Sequence, residues 1–167
     1  MNNQENLSVL IKLRSEGMEL IDQLIGDMGK AGAKTGELRQ KADELNSQLQ
    51  RLEQQQGLIE SFRKNKERVD EAAVAYAAAQ QRAQQLGREI AQLENPTRQQ
   101  QAAFAKARNE VNQAGAAYQS ARLGLQNLRS AMGQAGMDTE ALASVQVRVR
   151  RETEALRGSI DNFAGAL

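Results

Sequence analysis

The sequence predicts an all-α protein, an elongated coiled coil or long helical hairpin with a short apolar segment at its N-terminus. Three observations predict this fold class. Apolar residues recur at alternating steps of three and four, which draws one narrow stripe along a helix. Aromatic residues make up only 3% of the 167 residues, too few for a thick globular core. Glycine-rich stretches and the one proline divide the pattern into segments.

Composition excludes several classes of function. The 22 basic and 21 acidic residues nearly balance, whereas a dedicated duplex-DNA binder carries a basic excess. The chain has no histidine and no cysteine, which removes the commonest general base, the commonest metal ligand and all thiolate chemistry. We therefore expect no enzymatic activity, no cofactor, no metal and no small-molecule ligand. The N-terminus lacks the pattern of a signal peptide, and no apolar run could span a bilayer, so a soluble chain is expected.

Residues 1–36 form the first predicted domain, an apolar segment followed by a glycine-rich hinge. Apolar residues occupy every second position over 7–13, as in a strand, but Leu10 interrupts the alternation. A strand and the start of a helix therefore both remain open. From Met18 the spacing becomes helical, and Ser15 is a candidate N-cap for that helix.

Glycines mark the predicted hinges of the chain. Residues 26–36 read GDMGKAGAKTG, which is expected to end the preceding helix and to form a flexible joint. The Lys-Thr pair in this stretch lacks both the glycine spacing and the preceding strand of a phosphate-binding P-loop, so no nucleotide site is expected. A later glycine is predicted to be a left-handed C-cap. The hinge glycines are Gly26, Gly29, Gly32, Gly36 and Gly136.

Residues 37–134 form the second predicted domain, which consists of long coiled-coil helices. Its first helix is predicted over 37–94. The apolar stripe of this helix slips by one residue between the QQQG stretch and Phe62, which indicates a register discontinuity, a kink or a break into two helices.

A break at Asn95 and Pro96 ends that helix. Proline cannot donate a backbone hydrogen bond but suits the first position of a helix, and asparagine is a good N-cap. The next helix is therefore predicted over about 96–134. The two helices either fold back into a hairpin or continue as a kinked rod whose seams are shared with other chains.

The coiled-coil domain contains the same helical phrase twice. FRKNKERVDEAAVAYAAAQQRAQQLGREIAQ starts at Phe62 and FAKARNEVNQAGAAYQSARLGLQNLRSAMGQ starts at Phe104, an offset of 42 residues or six heptads. Each copy requires a partner helix on its apolar seam. Asn65 is a polar residue on that seam and is predicted to set register or oligomeric state. The predicted seam residues are Phe62, Asn65, Val69, Tyr76, Leu86, Ile90, Leu93, Phe104, Val111, Tyr118, Leu125, Leu128 and Met132.

Residues 135–167 form the third predicted domain, a C-terminal helix over about 139–165 that is capped by Asp138. Its apolar stripe is predicted to be interrupted at Glu152. The stripe residues are Leu142, Val145, Val149, Leu156, Ile160 and Phe163. The basic cluster of this helix, Arg148, Arg150 and Arg151, is interpreted as a solvated face rather than a phosphate-binding site.

Four phrases follow one another in a recognisable order. The apolar opening LSVLIKLRSEGMELIDQLIG precedes a long polar helix, and FRKNKERV follows at 62–69. A break of the Glu-x-Pro-Thr type, ENPTRQQQAAFAKAR, and an Ala-Gly-x-x-Thr joint, AGMDTEALASVQVRVRRE, come next. In this order and spacing, over nearly the whole chain, the sequence resembles the N-terminal region of tail tape measure proteins of long-tailed bacteriophages or prophages, especially contractile-tailed ones.

This resemblance implies a structural, non-enzymatic protein that sets the length of the tail tube during assembly and occupies the tail lumen. It implies a homo-oligomer that contacts the tail tube, baseplate and tail-assembly chaperone proteins. The charge balance argues against a nucleic-acid partner, and no membrane partner is expected for this segment. The expected location is the cytoplasm of the bacterial host during assembly and then the tail of the virion. Complete tape measure proteins are much longer than 167 residues, so a piece, a short homologue and a relative with another role all remain open.

The sequence also leaves two other functional hypotheses open. The main alternative is a prophage- or bacterium-derived coiled-coil adaptor that binds a protein partner through its helical seams. The second is a helical nucleic-acid-binding protein, for which DNA binding would depend steeply on salt.

Overall fold

The computed structural model describes residues 2–28 and 35–167, and within these residues every regular element is helical. The predicted all-α fold class with a long helical hairpin is confirmed. The elements are α1 (Asn3–Lys12), a π-helical turn (Leu13–Gly17), α2 (Met18–Met28), α3 (Thr35–Ala91), α4 (Arg98–Gln134) and α5 (Leu142–Ala166).

The chain forms two compact units. The terminal unit comprises Met1–Ser61 and Ala131–Leu167, and the hairpin unit comprises Phe62–Ser130. The terminal unit thus joins the two ends of the chain to the first half of α3. None of the described helices is long and apolar enough to cross a membrane.

The N-terminal segment is a helix, so the strand alternative for residues 7–13 is wrong. Leu10 is fully buried while Ile11 is 54% exposed, because burial follows the helical spacing and not the alternation. A capping box starts the helix: the Asn2 side chain accepts a hydrogen bond from the Glu5 backbone N–H at 2.8 Å, and the Glu5 carboxylate accepts one from the Asn2 N–H at 2.7 Å.

The π-helical turn Leu13–Gly17 joins α1 to α2 without a break. Ser15 lies inside this turn and is not an N-cap, since its hydroxyl donates to the carbonyl of Ile11 at 3.0 Å. The chain stays helical here, so no free N–H groups need a cap. A Cβ atom at Gly17 would lie only 3.3 Å from the Ile160 Cγ2 atom, so the glycine permits a close approach of α5.

The core of the terminal unit consists of side chains from α1, α2, α3, α5 and the last turn of α4, spaced by threes and fours along each helix. Its fully buried apolar members include Leu10, Ile21, Leu49, Leu52, Ile59, Met132, Val149 and Ile160. The predicted interruption of the α5 stripe at Glu152 is wrong. Thr153 fills that place, fully buried, and its hydroxyl donates to the carbonyl of Val149 at 2.7 Å, so that the polar atom is satisfied within the helix.

Glu152 lies beside the stripe and forms an ion pair with Arg51 of α3, with 3.8 Å between the charged atoms. A shorter pair, at 2.8 Å, joins Arg14 of the π-helical turn to Glu53 of α3. Because the two arginines are more than half exposed, these pairs orient the helices more than they stabilise them.

A pair of amide side chains lies inside the apolar core. The Asn6 Nδ2 atom donates to Gln56 Oε1 at 3.0 Å, and the Gln56 Nε2 atom donates to the carbonyl of Asn3 at 3.1 Å. Both side chains are at most 2% exposed. Since each buried amide needs the other as its partner, the pair fixes the register between α1 and α3.

Helix α3 runs without interruption from Thr35 to Ala91, so a break into two helices beside the QQQG stretch is wrong. The slip of the stripe is accommodated within one helix by successive three-residue steps from Ile59 to Phe62 to Asn65. The helix ends three residues before the predicted end at 94, and Gln92 and Leu93 form a tight turn instead.

Helix α4 begins at Arg98, and its N-cap is Thr97 rather than the predicted Asn95. The Thr97 hydroxyl accepts a hydrogen bond from the Gln100 N–H at 3.2 Å, and the Gln100 side chain accepts one from the Thr97 N–H at 2.8 Å. This reciprocal capping box satisfies two free N–H groups at once, which a lone asparagine cannot do. Pro96 therefore precedes the helix and does not occupy its first position.

The joint after α4 has the predicted left-handed glycine, Gly136, with φ of +74°. The Met137 N–H donates to the carbonyl of Met132 at 2.8 Å, and the Gly136 N–H donates to that of Gly133 at 3.0 Å. These two bonds form a Schellman motif, and the buried side chains of Met132 and Met137 supply its apolar contact.

Helix α5 begins at Leu142, later than the predicted start at 139. Asp138 is not its N-cap, because the Asp138 carboxylate accepts a hydrogen bond from the Glu140 N–H at 2.9 Å and holds a turn ahead of the helix. Among the other hinge glycines, Gly26 lies in α2 and Gly36 in the first turn of α3. Gly29 and Gly32 fall outside the described residues.

Candidate functional site

The doubled phrase folds back on itself as an antiparallel hairpin. Tyr76 of the first copy stacks on Tyr118 of the second, with ring centroids 6.0 Å apart and an interplanar angle of 23°. Farther along, Arg82 forms an ion pair with Glu110 at 3.8 Å. The two tyrosines occupy the same position of the repeat, so an approximate two-fold axis between the rings relates the two copies. Of the two arrangements left open by the sequence, the hairpin is the one observed.

Three glycines let the two helices of the hairpin approach each other. A Cβ atom at any of them would lie 3.1–3.2 Å from a large side chain of the opposite helix, closer than ordinary van der Waals contact. Each glycine thus makes room for a seam residue of the other copy. The pairs are Gly115 with Tyr76, Gly87 with Phe104 and Gly124 with Asn65.

The predicted seam residues lie at three levels of burial. Phe62 and Met132 are buried, the latter in the terminal unit, whereas Leu93 lies beyond the end of α3 and is 42% exposed. The other ten are half-buried, because two helices alone cannot cover a seam from both sides. They are Asn65, Val69, Tyr76, Leu86, Ile90, Phe104, Val111, Tyr118, Leu125 and Leu128.

Three arginines line one edge of the hairpin, which we name the arginine edge: Arg108, Arg122 and Arg129. They are separated by 14 and 7 residues, so they occupy the same heptad position of α4. All three are exposed. Each guanidinium lies over a seam aromatic ring, at 5.9 Å for Arg108 on Phe104, 5.6 Å for Arg122 on Tyr118 and 6.0 Å for Arg129 on Phe62.

The arginine edge also contains a cleft between the two helices, about 240 Å³ in volume. Its floor is formed by Ala83 and Val111, which are both half-buried seam positions. Polar side chains surround this floor. The complete lining is Gln80, Ala83, Gln84, Arg108, Val111 and Asn112.

Charge is distributed unevenly along the chain, although its total is only +1. Residues 62–130 carry 11 basic and 6 acidic side chains, a formal charge of +5. The remaining residues carry 11 basic and 15 acidic side chains, a charge of −4. The near balance of the whole composition therefore conceals a basic hairpin.

The basic cluster singled out in the sequence is a different feature. It belongs to α5 of the terminal unit, where Arg148 and Arg151 are exposed and Arg150 is half-buried. The signal for the arginine edge was present in the sequence as arginines recurring in heptad register beside the seam. Recognising it requires knowing that α4 pairs with α3 within one chain, because only then do these positions share an edge with an open seam.

The described residues contain no group of three or more His, Cys, Asp or Glu side chains that could hold a metal ion. A cleft of about 370 Å³ in the terminal unit, between α1 and α5, holds amide and aliphatic side chains and one arginine, without an acid–base pair.

Comparison with known proteins gives no family for this chain: no protein-family model, no curated protein and no solved structure matches it.

Proposed function

We propose that the chain is a structural segment of a phage tail tape measure protein. The observation that carries this proposal is the order of its helices and joints, from the apolar opening through the ENPT break to the AGMDT joint. Each of these two joints coincides with a capped helix end, at Thr97 and at Gly136, which gives the order of breaks a physical basis.

Within this proposal the hairpin is a folded binding element and not part of the ruler. A single helix converts residue number into length at about 1.5 Å per residue. A hairpin whose arms run in opposite directions cancels that gain. Under this proposal, other helical parts of the assembled protein set the tail length. Residues 62–130 instead bind a partner.

The test is tail length, measured by electron microscopy in a phage or lysogen that carries the gene. Deleting the gene is expected to abolish tails of uniform length. Deleting one heptad from each arm of the hairpin, residues 79–85 together with 109–115, is expected to leave tail length unchanged. Uniform tails of normal length in the complete absence of the gene would refute the proposal.

A second candidate function is a coiled-coil adaptor that binds a protein partner outside any tail. The open seam and basic edge of the hairpin favour this candidate, because both are features of a binding surface. The genes around this one distinguish the two functions. Tube, baseplate and tail-chaperone genes nearby support the tape measure segment, and their absence supports the adaptor.

A further inference from the structure

The seam of the hairpin is incomplete on the arginine edge. Tyr76, Tyr118, Ala83 and Val111 are all half-buried, although they occupy positions that face the partner helix. The half-buried seam positions are accessible from the side in this two-helix hairpin, and a third helix, as in a trimeric coiled coil, can cover them. The cleft over Ala83 and Val111 is a place where an apolar side chain of a third helix fits.

The charge on this edge selects the partner. Among the described residues, none of the three edge arginines forms an ion pair with a carboxylate. Lys66 occupies the equivalent heptad position of α3 and adds a fourth positive charge. The opposite edge differs, since Arg82 there is paired with Glu110. A partner on the arginine edge must therefore be negatively charged.

The arginines are also held in place before any partner arrives. The negative face of an aromatic ring attracts a guanidinium even at an exposed site, which favours one orientation of a flexible side chain. The contacts of Arg108, Arg122 and Arg129 with their rings lay the side chains along the seam. Less side-chain entropy is then lost on binding.

We propose that the arginine edge docks an acidic amphipathic α-helix of a partner protein, which completes a three-helix coiled coil with α3 and α4. Heptad-spaced carboxylates of that helix pair with the arginines, and its apolar stripe covers the open seam. This goes beyond the proposed function, because a tape measure segment and an adaptor would use the same surface.

The occupant is a separate protein rather than α2 of a second copy. Helix α2 has three acidic residues and no basic one. Its 11 residues, however, extend only about 16 Å, whereas Arg108 and Arg129 are about 32 Å apart along α4. Its apolar face is also already buried through Met18, Ile21 and Ile25.

Nucleic acid fits this edge less well than a helix does. Single-stranded nucleic acid binds by stacking bases on exposed aromatic faces. Here Tyr76 and Tyr118 stack on each other, and each of the rings of Phe62, Phe104 and Tyr118 has an arginine over it. Few ring faces are left for bases, while the heptad spacing of the arginines matches a helix.

The experiment uses the full chain and a fluorescent peptide of about four heptads, with Leu and Ile on its stripe and Glu on both flanks. Binding is followed by fluorescence anisotropy at roughly 50 mM salt. The test variant combines Arg108→Gln, Arg122→Gln and Arg129→Gln. The matched control combines Arg68→Gln, Arg88→Gln and Lys106→Gln, which removes the same charge from exposed positions elsewhere on the hairpin.

We expect the Glu peptide to bind the native chain and the control variant within about twofold, and to bind the test variant roughly tenfold more weakly. A peptide with Lys in place of Glu is expected not to bind. Circular dichroism checks that both variants keep their helicity. Where the triple variant loses helicity, the single reversals Arg122→Glu and Arg88→Glu provide the same contrast.

Three results would overturn the proposal. The Glu peptide could fail to bind the native chain, or it could lose affinity equally in the test and control variants, which would make net charge the only cause. A single-stranded oligothymidine of about 30 nucleotides could bind more tightly than the peptide, which would assign the edge to nucleic acid.

Discussion

Individual residues decide how the helices of the terminal unit align. Apolar contacts tolerate small shifts along a helix, but the Asn6–Gln56 pair does not, because each amide would lose its hydrogen bond inside an apolar core. The Asn6 Oδ1 atom is buried, and the part of the chain that the structure describes offers it no hydrogen-bond partner. The pair therefore fixes the alignment of α1 against α3 and lowers the stability of the fold somewhat, as single buried polar residues do in coiled coils.

Replacing Gln56 tests this role. Gln56→Ala removes the acceptor of the Asn6 amide and leaves a cavity, so we expect the free energy of unfolding to fall by about 2–4 kcal/mol. Urea denaturation followed by circular dichroism measures the loss. The control Gln54→Ala lies on the exposed side of the same helix and should change stability by less than about 0.5 kcal/mol.

The double variant Asn6→Leu with Gln56→Leu removes both amides. Apolar replacement of a complete polar pair is nearly neutral or stabilising, in contrast to the loss of one partner. Recovery of most of the stability lost in Gln56→Ala would support a role in register. A double variant as unstable as the single one would show that the shape of the amides, and not their hydrogen bonding, matters at this position.

At the scale of whole elements, the heptad pattern predicted which face of each helix packs. Ala42, Leu45, Leu49 and Leu52 are all buried at the spacing that the sequence displays. Burial of an apolar stripe is a sum over many residues, so no single local interaction overrides it. The alternation over residues 7–13 predicted less well, because it was short and a helix could bury Leu10 and Leu13 equally well.

Helix ends were predicted less accurately, because they depend on competition between neighbouring caps. Asn95, Thr97 and Asp138 all have side chains that can cap a helix. Thr97 prevails at α4, since Gln100 stands three residues later and completes a capping box. A scan for Thr-x-x-Gln would have found it. At α5, by contrast, no cap bond of this kind forms: Ala141 is the N-cap residue and makes no side-chain hydrogen bond.

The two candidate caps of α4 can be compared directly. We expect Thr97→Ala to lower the free energy of unfolding by about 1 kcal/mol, because it removes the hydroxyl that accepts the Gln100 N–H. Asn95→Ala, two residues away and exposed, should cost far less. Thermal unfolding of the two variants measures the difference. Equal losses, or a larger loss for Asn95, would contradict the capping box.

At the scale of the whole molecule, the average composition was a poor guide to local properties. A total charge of +1 argued against a dedicated duplex-DNA binder and did not reveal that residues 62–130 alone carry +5. The division was hidden because charge was summed over the whole chain: residues 1–61 carry −3, residues 62–130 carry +5 and residues 131–167 carry −1. What the sequence does not show is that the first and last of these segments form one unit. The sequence has no local signal that shows which distant segments pack together. The apolar seam along each helix, in contrast, is visible in the spacing of its residues.

The two units are also expected to differ in local stability. Among the described residues, only two buried apolar side chains, Phe62 and Ala107, belong to the hairpin unit. Its seam is half-buried and rich in alanine, so less apolar area is removed from water per residue than in the terminal unit. Opening of the hairpin should therefore require less free energy than opening of the terminal unit.

Hydrogen exchange measured by mass spectrometry tests this difference within one helix. In α3, amides of residues 42–56 should exchange at least about tenfold more slowly than those of residues 70–85, although both segments are helical. Comparison within α3 controls for helix type, temperature and pH. Addition of the acidic helical peptide should slow exchange in 70–85 and leave 42–56 unchanged, because it covers the open seam. Uniform protection along α3 without the peptide would instead mean that the half-buried seam already stabilises the hairpin as much as a complete core does.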